Sequence, residues 1–387
     1  MQQDYDVIVL GLGGLGSGAA YWLARKGARV LGLEQFELGH LRGASHDHSR
    51  IIRLSYHTPF YVALAKQAYA AWAALEADAG ESLILRTGGL DLEPPNAAIS
   101  LDDYGESLGA ENVPFEWLDA DEIMRRWPQF RLDPGVRGLY QAQSGIAPAA
   151  RCNATHQRLA QEHGATLRDR TPVRRIRDVG GEVEVYTDEG VFRCGKLVIT
   201  ADAWTNDLLQ HLGLGLPLTI TQEQVHYFAS PHAADFAPDR FPVWIWMDEP
   251  CFYGFPIYGE HAVKVAQDVG GRDVSPETRT FDPDPDTLRR VEQFMQRCLP
   301  TAVGPLHYAK TCLYTLTPDR DFVIDTVPGH DYIAVGLGAG HGFKFASVIG
   351  RLLAGLSGFG TEDFDLTPFA IDRAILLEQD PVRTFLI

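Results

Sequence analysis

The chain has 387 residues, 45% hydrophobic and 22% charged, which is the balance of a globular protein with more than one unit of core and excludes a disordered or fibrous chain. Lys and Arg number 34 against 51 Asp and Glu, and the formal charge of −17 argues against nucleic acid and anionic membrane surfaces as partners. No run approaches the ~18 apolar residues of a membrane span. The five cysteines (152, 194, 251, 298 and 312) have no C-x-x-C spacing, which leaves neither a disulfide framework nor a zinc knuckle to expect. A cytoplasmic protein acting on a small molecule is the expectation.

After Met1-Gln2-Gln3-Asp4 the chain goes directly into an apolar strand, Tyr5 to Leu10. A glycine turn from Gly11 to Gly16, a helix from Ala19 to Lys26 and a second strand from Arg29 to Leu33 complete a βαβ opening. The turn matches G-x-G-x-x-G: Gly11 for the tight bend, Gly13 for approach of a pyrophosphate, Gly16 for close packing of helix on strand. Glu34 ends the second strand, placed to accept bonds from a ribose hydroxyl, and its charge disfavours NADP. The fingerprint does not separate NAD from FAD.

Farther on, Val183 to Arg193 reads as a hairpin, followed by the apolar strand Leu197 to Thr200. From Gln222 to Asp268, aromatic and β-branched alternation broken by Pro and Gly predicts an antiparallel sheet. Within it Ala262, Lys264, Ala266 and Asp268 share one face, an unusual setting for a solvated lysine. Phe281 to Asp286 reads as a loop before a helix over Thr287 to Cys298. The tail returns to the opening style, with a strand (Tyr332 to Val335), a glycine loop (Gly336 to Gly342) and a helix whose Phe345, Val348, Ile349, Leu352, Leu353 and Leu356 form one apolar face.

Four separated motifs then occur in one order: Ser45-His-Asp-His-Ser-Arg-Ile-Ile-Arg53; Tyr253-Gly-Phe-Pro256 with Lys264 beyond it; Cys312-Leu-Tyr-Thr-Leu-Thr-Pro-Asp319; and Gly340-His-Gly-Phe-Lys344. Together, over nearly the full length, they resemble the monomeric sarcosine oxidase and N-methyltryptophan oxidase family. The resemblance implies a flavin enzyme with FAD bound at Gly11, Gly13, Gly16, Glu34, Arg50, Val173, Gly340, Gly342 and Lys344, and attached covalently through the 8α-methyl group to Cys312. By residue type alone Cys312 reads as a small buried hydrophobe. The resemblance makes it a nucleophile that needs its thiolate, with Arg50 and His46 as the basic pair beside the flavin. It further implies that Arg53 and Lys344 hold a substrate carboxylate, that Lys264 supplies positive charge as oxygen takes its first electron, and that Tyr253 faces the substrate.

Three positions depart from the family pattern. Asp268 stands where these oxidases carry a histidine facing the amine, and is expected to pair with a protonated amine or help remove its proton, as in cyclic imino-acid oxidases. Trp244 stands where the sarcosine enzymes carry a methionine, and is taken as substrate-binding. Asp202 replaces a glycine near the nucleotide.

The fold expected is an FAD-binding, Rossmann-like α/β domain of the glutathione-reductase type with an interposed antiparallel-sheet substrate domain. Residues 1–85, 145–215 and 311–387 are assigned to the first, and 86–144 and 216–310 to the second. The function expected is oxidation of a secondary-amine amino acid such as sarcosine, with dioxygen as acceptor, by a monomer without metal. A cyclic amino or imino acid oxidase, an NAD-dependent dehydrogenase and a non-catalytic flavin protein are the alternatives.

Overall fold

The computed structural model describes residues 4–360 and 364–384, so Met1, Gln2 and Gln3, from which the N-terminal expectation starts, lie outside the described residues. Two sheets carry the architecture. The first has eight strands, in the order Val173–Asp178, Val183–Thr187, Gly190–Ile199, Asp4–Leu10, Val30–Leu33 and Thr166–Arg168, with His330–Leu337 also on Gly190–Ile199 and Val323–Val327 on His330–Leu337. Its centre is parallel: Asp4–Leu10 pairs in parallel with both Val30–Leu33 and Gly190–Ile199. Both faces of these central strands are covered, which is why they read as continuous apolar runs.

The opening helix spans Gly14–Arg25, five residues earlier at its start than Ala19, because Gly14, Leu15 and Gly16 already take helical conformation. A Cβ on Gly16 would collide with the Gly11 carbonyl oxygen, so a glycine here is what lets the helix start directly on the strand end. The expected strand Leu197 to Thr200 is the end of a longer one, Gly190–Ile199, since the second arm of the hairpin runs without interruption into the parallel sheet. The last helix, Ala346–Leu356, packs on Gly14–Arg25 at backbone contact through Gly18 and Gly350.

The second sheet has nine strands: Arg272–Asp273, Thr219–Phe228, Val263–Asp268, Cys251–Phe255, Val243–Trp246, Gly89–Glu93, Arg137–Gln141 and Glu116–Asp119, with Leu306–Leu316 also on Thr219–Phe228. It is not wholly antiparallel as expected. Val243–Trp246 and Gly89–Glu93 pair in parallel, because they belong to two separate excursions of the chain and no hairpin constrains their direction. The helix Pro285–Cys298 covers one face, capped by Asp284, whose carboxylate accepts from Asp286 N–H at 3.0 Å. The other face looks toward the first sheet. Among the described residues no helix is long and apolar enough to cross a membrane, and no group of three or more His, Cys, Asp or Glu is placed to hold a metal ion.

Candidate active site

Two cavities share Gly13, Ala44, Ser45, Thr200 and Asp202 on their walls and so form one continuous cleft between the sheets. The first arm is lined by Gly11, Gly13, Glu34, His46 and Val173 among others. Burial pushes the Glu34 carboxyl up, but bonds from His40 and from the Leu12 and Phe36 amides outweigh it, so Glu34 stays an anion below the usual carboxylate range. Gly11 has φ 86, a left-handed conformation, and a Cβ there would stand 2.6 Å from the Thr200 carbonyl oxygen. Asp202, at the join of the two arms, also has a left-handed backbone (φ 47), and burial raises its carboxyl to about 6.

The second arm is roofed by one face of the nine-stranded sheet. Side chains directly opposite on neighbouring strands share a face, so the register itself reads out the roof: Asp91 opposite Ile245, Ile245 opposite Tyr253, Tyr253 opposite Ala266, Cys251 opposite Asp268, Phe255 opposite Lys264. On the next strand pair, Thr221 lies opposite Tyr314 and Glu223 opposite Cys312. Below the roof run Arg50, Arg53 and the segment from Gly336, at the end of the strand His330–Leu337, to Lys344, with Gly340 and Gly342 on the wall.

Trp244 is on the opposite face and is fully buried, stacked on Phe294 at 5.5 Å between ring centroids. Its assignment as substrate-binding is therefore corrected: Ile245, one residue on, lines the cleft. In a strand a shift of one residue exchanges the faces, and two bulky apolar residues side by side give no sign of which points inward.

Arg53 is buried with its Nη1 donating to the Asp91 carboxylate at 3.2 Å and its guanidinium 4.8 Å from the Tyr56 ring centroid. Its Nε has no hydrogen-bond partner among the described residues. Lys344 donates to the His341 carbonyl at 3.1 Å; burial first, and then repulsion by Arg53, push its ammonium well below the usual lysine range. Asp268 is gripped by Arg320 through two bonds of 2.8 and 3.0 Å. Burial raises the Asp268 carboxyl, but Arg320 more than compensates and keeps it a low-pKa anion. Asp268, held as an anion by Arg320, is thus suited to hold an ammonium group. Around the substrate end Arg53 is paired with Asp91 and Arg320 with Asp268, while Lys344 bonds the neutral His341 carbonyl, so an incoming carboxylate would favour its ammonium form.

His46 and Arg50 do not form a pair of cations. Burial first, then Arg50, depress the His46 imidazole to about 3, so it is neutral, and neither ring nitrogen has a partner among the described residues. Arg50 is the first of three cations, with Lys264 and Arg279, whose positive charge acts on Cys312. Burial pushes the Cys312 thiol up to about 11, with Arg50 opposing. Cys312 and Lys264 lie on the roof face but not among the residues lining the cleft. Lys264 is paired with Asp47 at 2.7 Å.

Sequence reading missed Asp91, Ile245, Tyr314, Arg320 and Asp47. Asp91 had a signal, a lone acid between two leucines in Gly-Leu-Asp-Leu-Glu; Arg320 had none, sitting in a turn with φ 60. The cleft fits FAD: an anion at the ribose end, a glycine turn opening a helix N-terminus in the middle, and a cation-rich end under an aromatic roof.

Comparison with known proteins agrees. The family described as FAD dependent oxidoreductase matches residues 6–356. The chain is 37% identical to a monomeric sarcosine oxidase of Streptomyces avermitilis over 93% of this chain and 95% of that one. It is 32% identical to an N-methyl-L-tryptophan oxidase of Salmonella newport, over 95% and 99%. NikD, an amino acid oxidase essential for nikkomycin biosynthesis, superposes with a TM-score of 0.85 at 28% identity, covering 95% of this chain and 98% of that one. A glycine-turn nucleotide fold, a cation-lined cleft beneath the nine-stranded sheet and these full-length likenesses converge: the chain belongs to the FAD-dependent oxidoreductases, within the monomeric sarcosine oxidase and N-methyltryptophan oxidase family.

Proposed function

We propose that this protein is an oxidase of N-methylated, secondary-amine amino acids of the sarcosine type, using dioxygen and giving hydrogen peroxide, with FAD held covalently as an 8α-S-cysteinyl adduct of Cys312. The observation that carries the reading is the pairing at the substrate end: Arg53 and Arg320 each meet a protein carboxylate, whereas Lys344 on the same wall bonds a carbonyl and suits one substrate carboxylate. Arg53 offers its guanidinium to that carboxylate and Lys344 a compact charge, so the acid group is anchored and the amine is left facing Asp268. Asp268, kept ionised by Arg320, orients a substrate ammonium. The aromatic and aliphatic side chains of Tyr253, Phe255 and Ile245 keep water off the bond to be oxidised.

Bound FAD supplies the hydride acceptor and, once reduced, the electrons that dioxygen consumes. Lys264 supplies positive charge on the oxygen side. The released imine hydrolyses to an aldehyde and an amine. We assign the segments 1–85, 145–215 and 317–387 to the cofactor domain and the rest to the substrate domain, in a monomer working in the cytoplasm; the last boundary moves from the expected 311 because Leu306–Leu316 is one strand of the nine-stranded sheet.

A second reading, oxidation of a cyclic amino or imino acid such as proline or pipecolate, is favoured by Asp268 itself, since a fixed anion suits a ring ammonium. A peroxide-coupled screen of sarcosine, other N-methyl amino acids, proline, pipecolate and piperideine carboxylate decides. Turnover confined to the N-methyl set supports the first reading, turnover confined to the rings establishes the second, and no peroxide from either set rejects both.

A further inference from the structure

One densely bonded buried acid lies off the cleft wall. Asp47 has a side chain 1% exposed and sits in the loop before the strand Arg50–Ile52. Its carboxylate accepts two contacts from the Tyr227 hydroxyl at 2.9 and 2.8 Å, pairs with Lys264 at 2.7 Å and with Lys310 at 3.3 Å, and lies 3.9 Å from Arg50. Its backbone is left-handed (φ 86) and is pinned by the Ala150 amide, which donates to the Asp47 carbonyl at 3.1 Å. That conformation is easier for glycine than for aspartate, so a side chain is being kept at a conformational cost.

Lys264 is 2% exposed and has three N–H donors. One goes to Asp47, one to the Ser49 carbonyl at 2.9 Å and one to the Ser49 hydroxyl at 3.2 Å, and the ammonium lies 4.7 Å from the Phe255 ring centroid. Every donor is therefore committed, and Lys264 acts in this state as a fixed charge, not as a free hydrogen-bond donor. A lysine so desolvated, with Arg50 beside it, would lose its proton without an anion in contact.

We propose that Asp47 is a positioning residue that keeps Lys264 protonated and aimed, and thereby maintains the positive charge available to dioxygen. This rests on the oxygen-side role given to Lys264 above. The charged and titratable groups around Lys264 are Asp47 and Arg50 on the loop and strand edge, Tyr227 on Thr219–Phe228, and Lys310 and Cys312 on Leu306–Leu316. Among them Asp47 is the anion in contact. Burial lowers the Lys264 ammonium to about 8, with Asp47 opposing the drop and Arg50 adding to it.

The chain has six lysines, so holoenzyme labelled with ¹³C at lysine Cε has a spectrum in which Lys264 is identified by its loss in Lys264→Met. In the unaltered protein its signal should titrate near 8. Asp47→Asn should move that midpoint down by about 1–3 pH units, the size expected for removal of a contacting opposite charge. Lys310→Met, at a side chain 30% exposed, should move it up, because a cation sharing Asp47 is gone; this variant carries the test if Asp47→Asn does not fold. A purely structural Asp47 would not give shifts of opposite sign. A midpoint unmoved in Asp47→Asn, or lowered or unmoved in Lys310→Met, overturns the proposal. Stopped-flow reoxidation of the reduced enzyme separates the two levels: the high-pH fall in rate should follow the Lys264 midpoint in each variant. If Lys264→Met reoxidises normally, the oxygen-side role is lost while the titration still judges Asp47.

Discussion

Asp268 and Arg320, 52 residues apart in sequence, form a two-point ion pair with N···O separations of 2.8 and 3.0 Å, and Arg320 is only 1% exposed. Removing one member of a buried pair leaves the other charge uncompensated, at a cost of about 3–5 kcal/mol. Asp268→Asn should lower the urea midpoint accordingly, and an unchanged midpoint contradicts the assignment. The pH sign follows from the depressed carboxyl. The stabilisation is present at neutral pH and above the ordinary carboxylate pKa, and is lost as pH falls through the lower folded value.

Substrate carboxylate should bring a proton with it. Lys344 is depressed by burial and by Arg53, and an incoming anion raises its affinity for protons. Calorimetry of a carboxylate inhibitor in buffers of different ionisation enthalpy, repeated across a pH series, should show proton uptake over the range in which free Lys344 loses its proton. Uptake should vanish in Lys344→Met, and no buffer dependence in the unaltered enzyme would count against it.

Arg53→Ala should weaken the same inhibitor by about 2–5 kcal/mol, because the partner charge would be buried without its fork. Its binding constant, measured by flavin absorbance, is the check; one within twofold of the unaltered enzyme rejects the role.

Attachment of FAD should accelerate with pH. The Cys312 thiol is pushed up to about 11, so the thiolate fraction rises about tenfold per pH unit below that value. Intact-protein mass spectrometry of apoprotein mixed with FAD should show faster adduct formation from pH 7 to 9 and none in Cys312→Ala. A pH-independent rate would mean that proton loss from sulfur does not limit the step.

Ile245→Ala should change kcat/KM between substrates of different bulk with little loss of stability. Trp244→Ala should do the reverse, costing about 3–5 kcal/mol through the cavity left against Phe294. Denaturation and specificity measured on both variants tell the two faces of one strand apart.

The sequence by itself determined the nucleotide half of this protein. The strand, the Gly11 to Gly16 turn, Glu34 and the tail helix are local patterns, set by backbone sterics and apolar periodicity within a few tens of residues, and the family motifs around Arg53, Lys264, Cys312 and Lys344 named the chemistry. Tertiary structure alone decided the charge states and the faces. Arg53 meets Asp91, Asp268 meets Arg320 and Lys264 meets Asp47 across 38, 52 and more than 200 residues of chain. The ionisation of a buried group depends on which charge lies within a few ångströms of it, and sequence spacing carries no trace of that. The exchange of Trp244 for Ile245 has the same origin: strand alternation names two faces, and only the packing of the sheet on its neighbours says which one is the roof of the site.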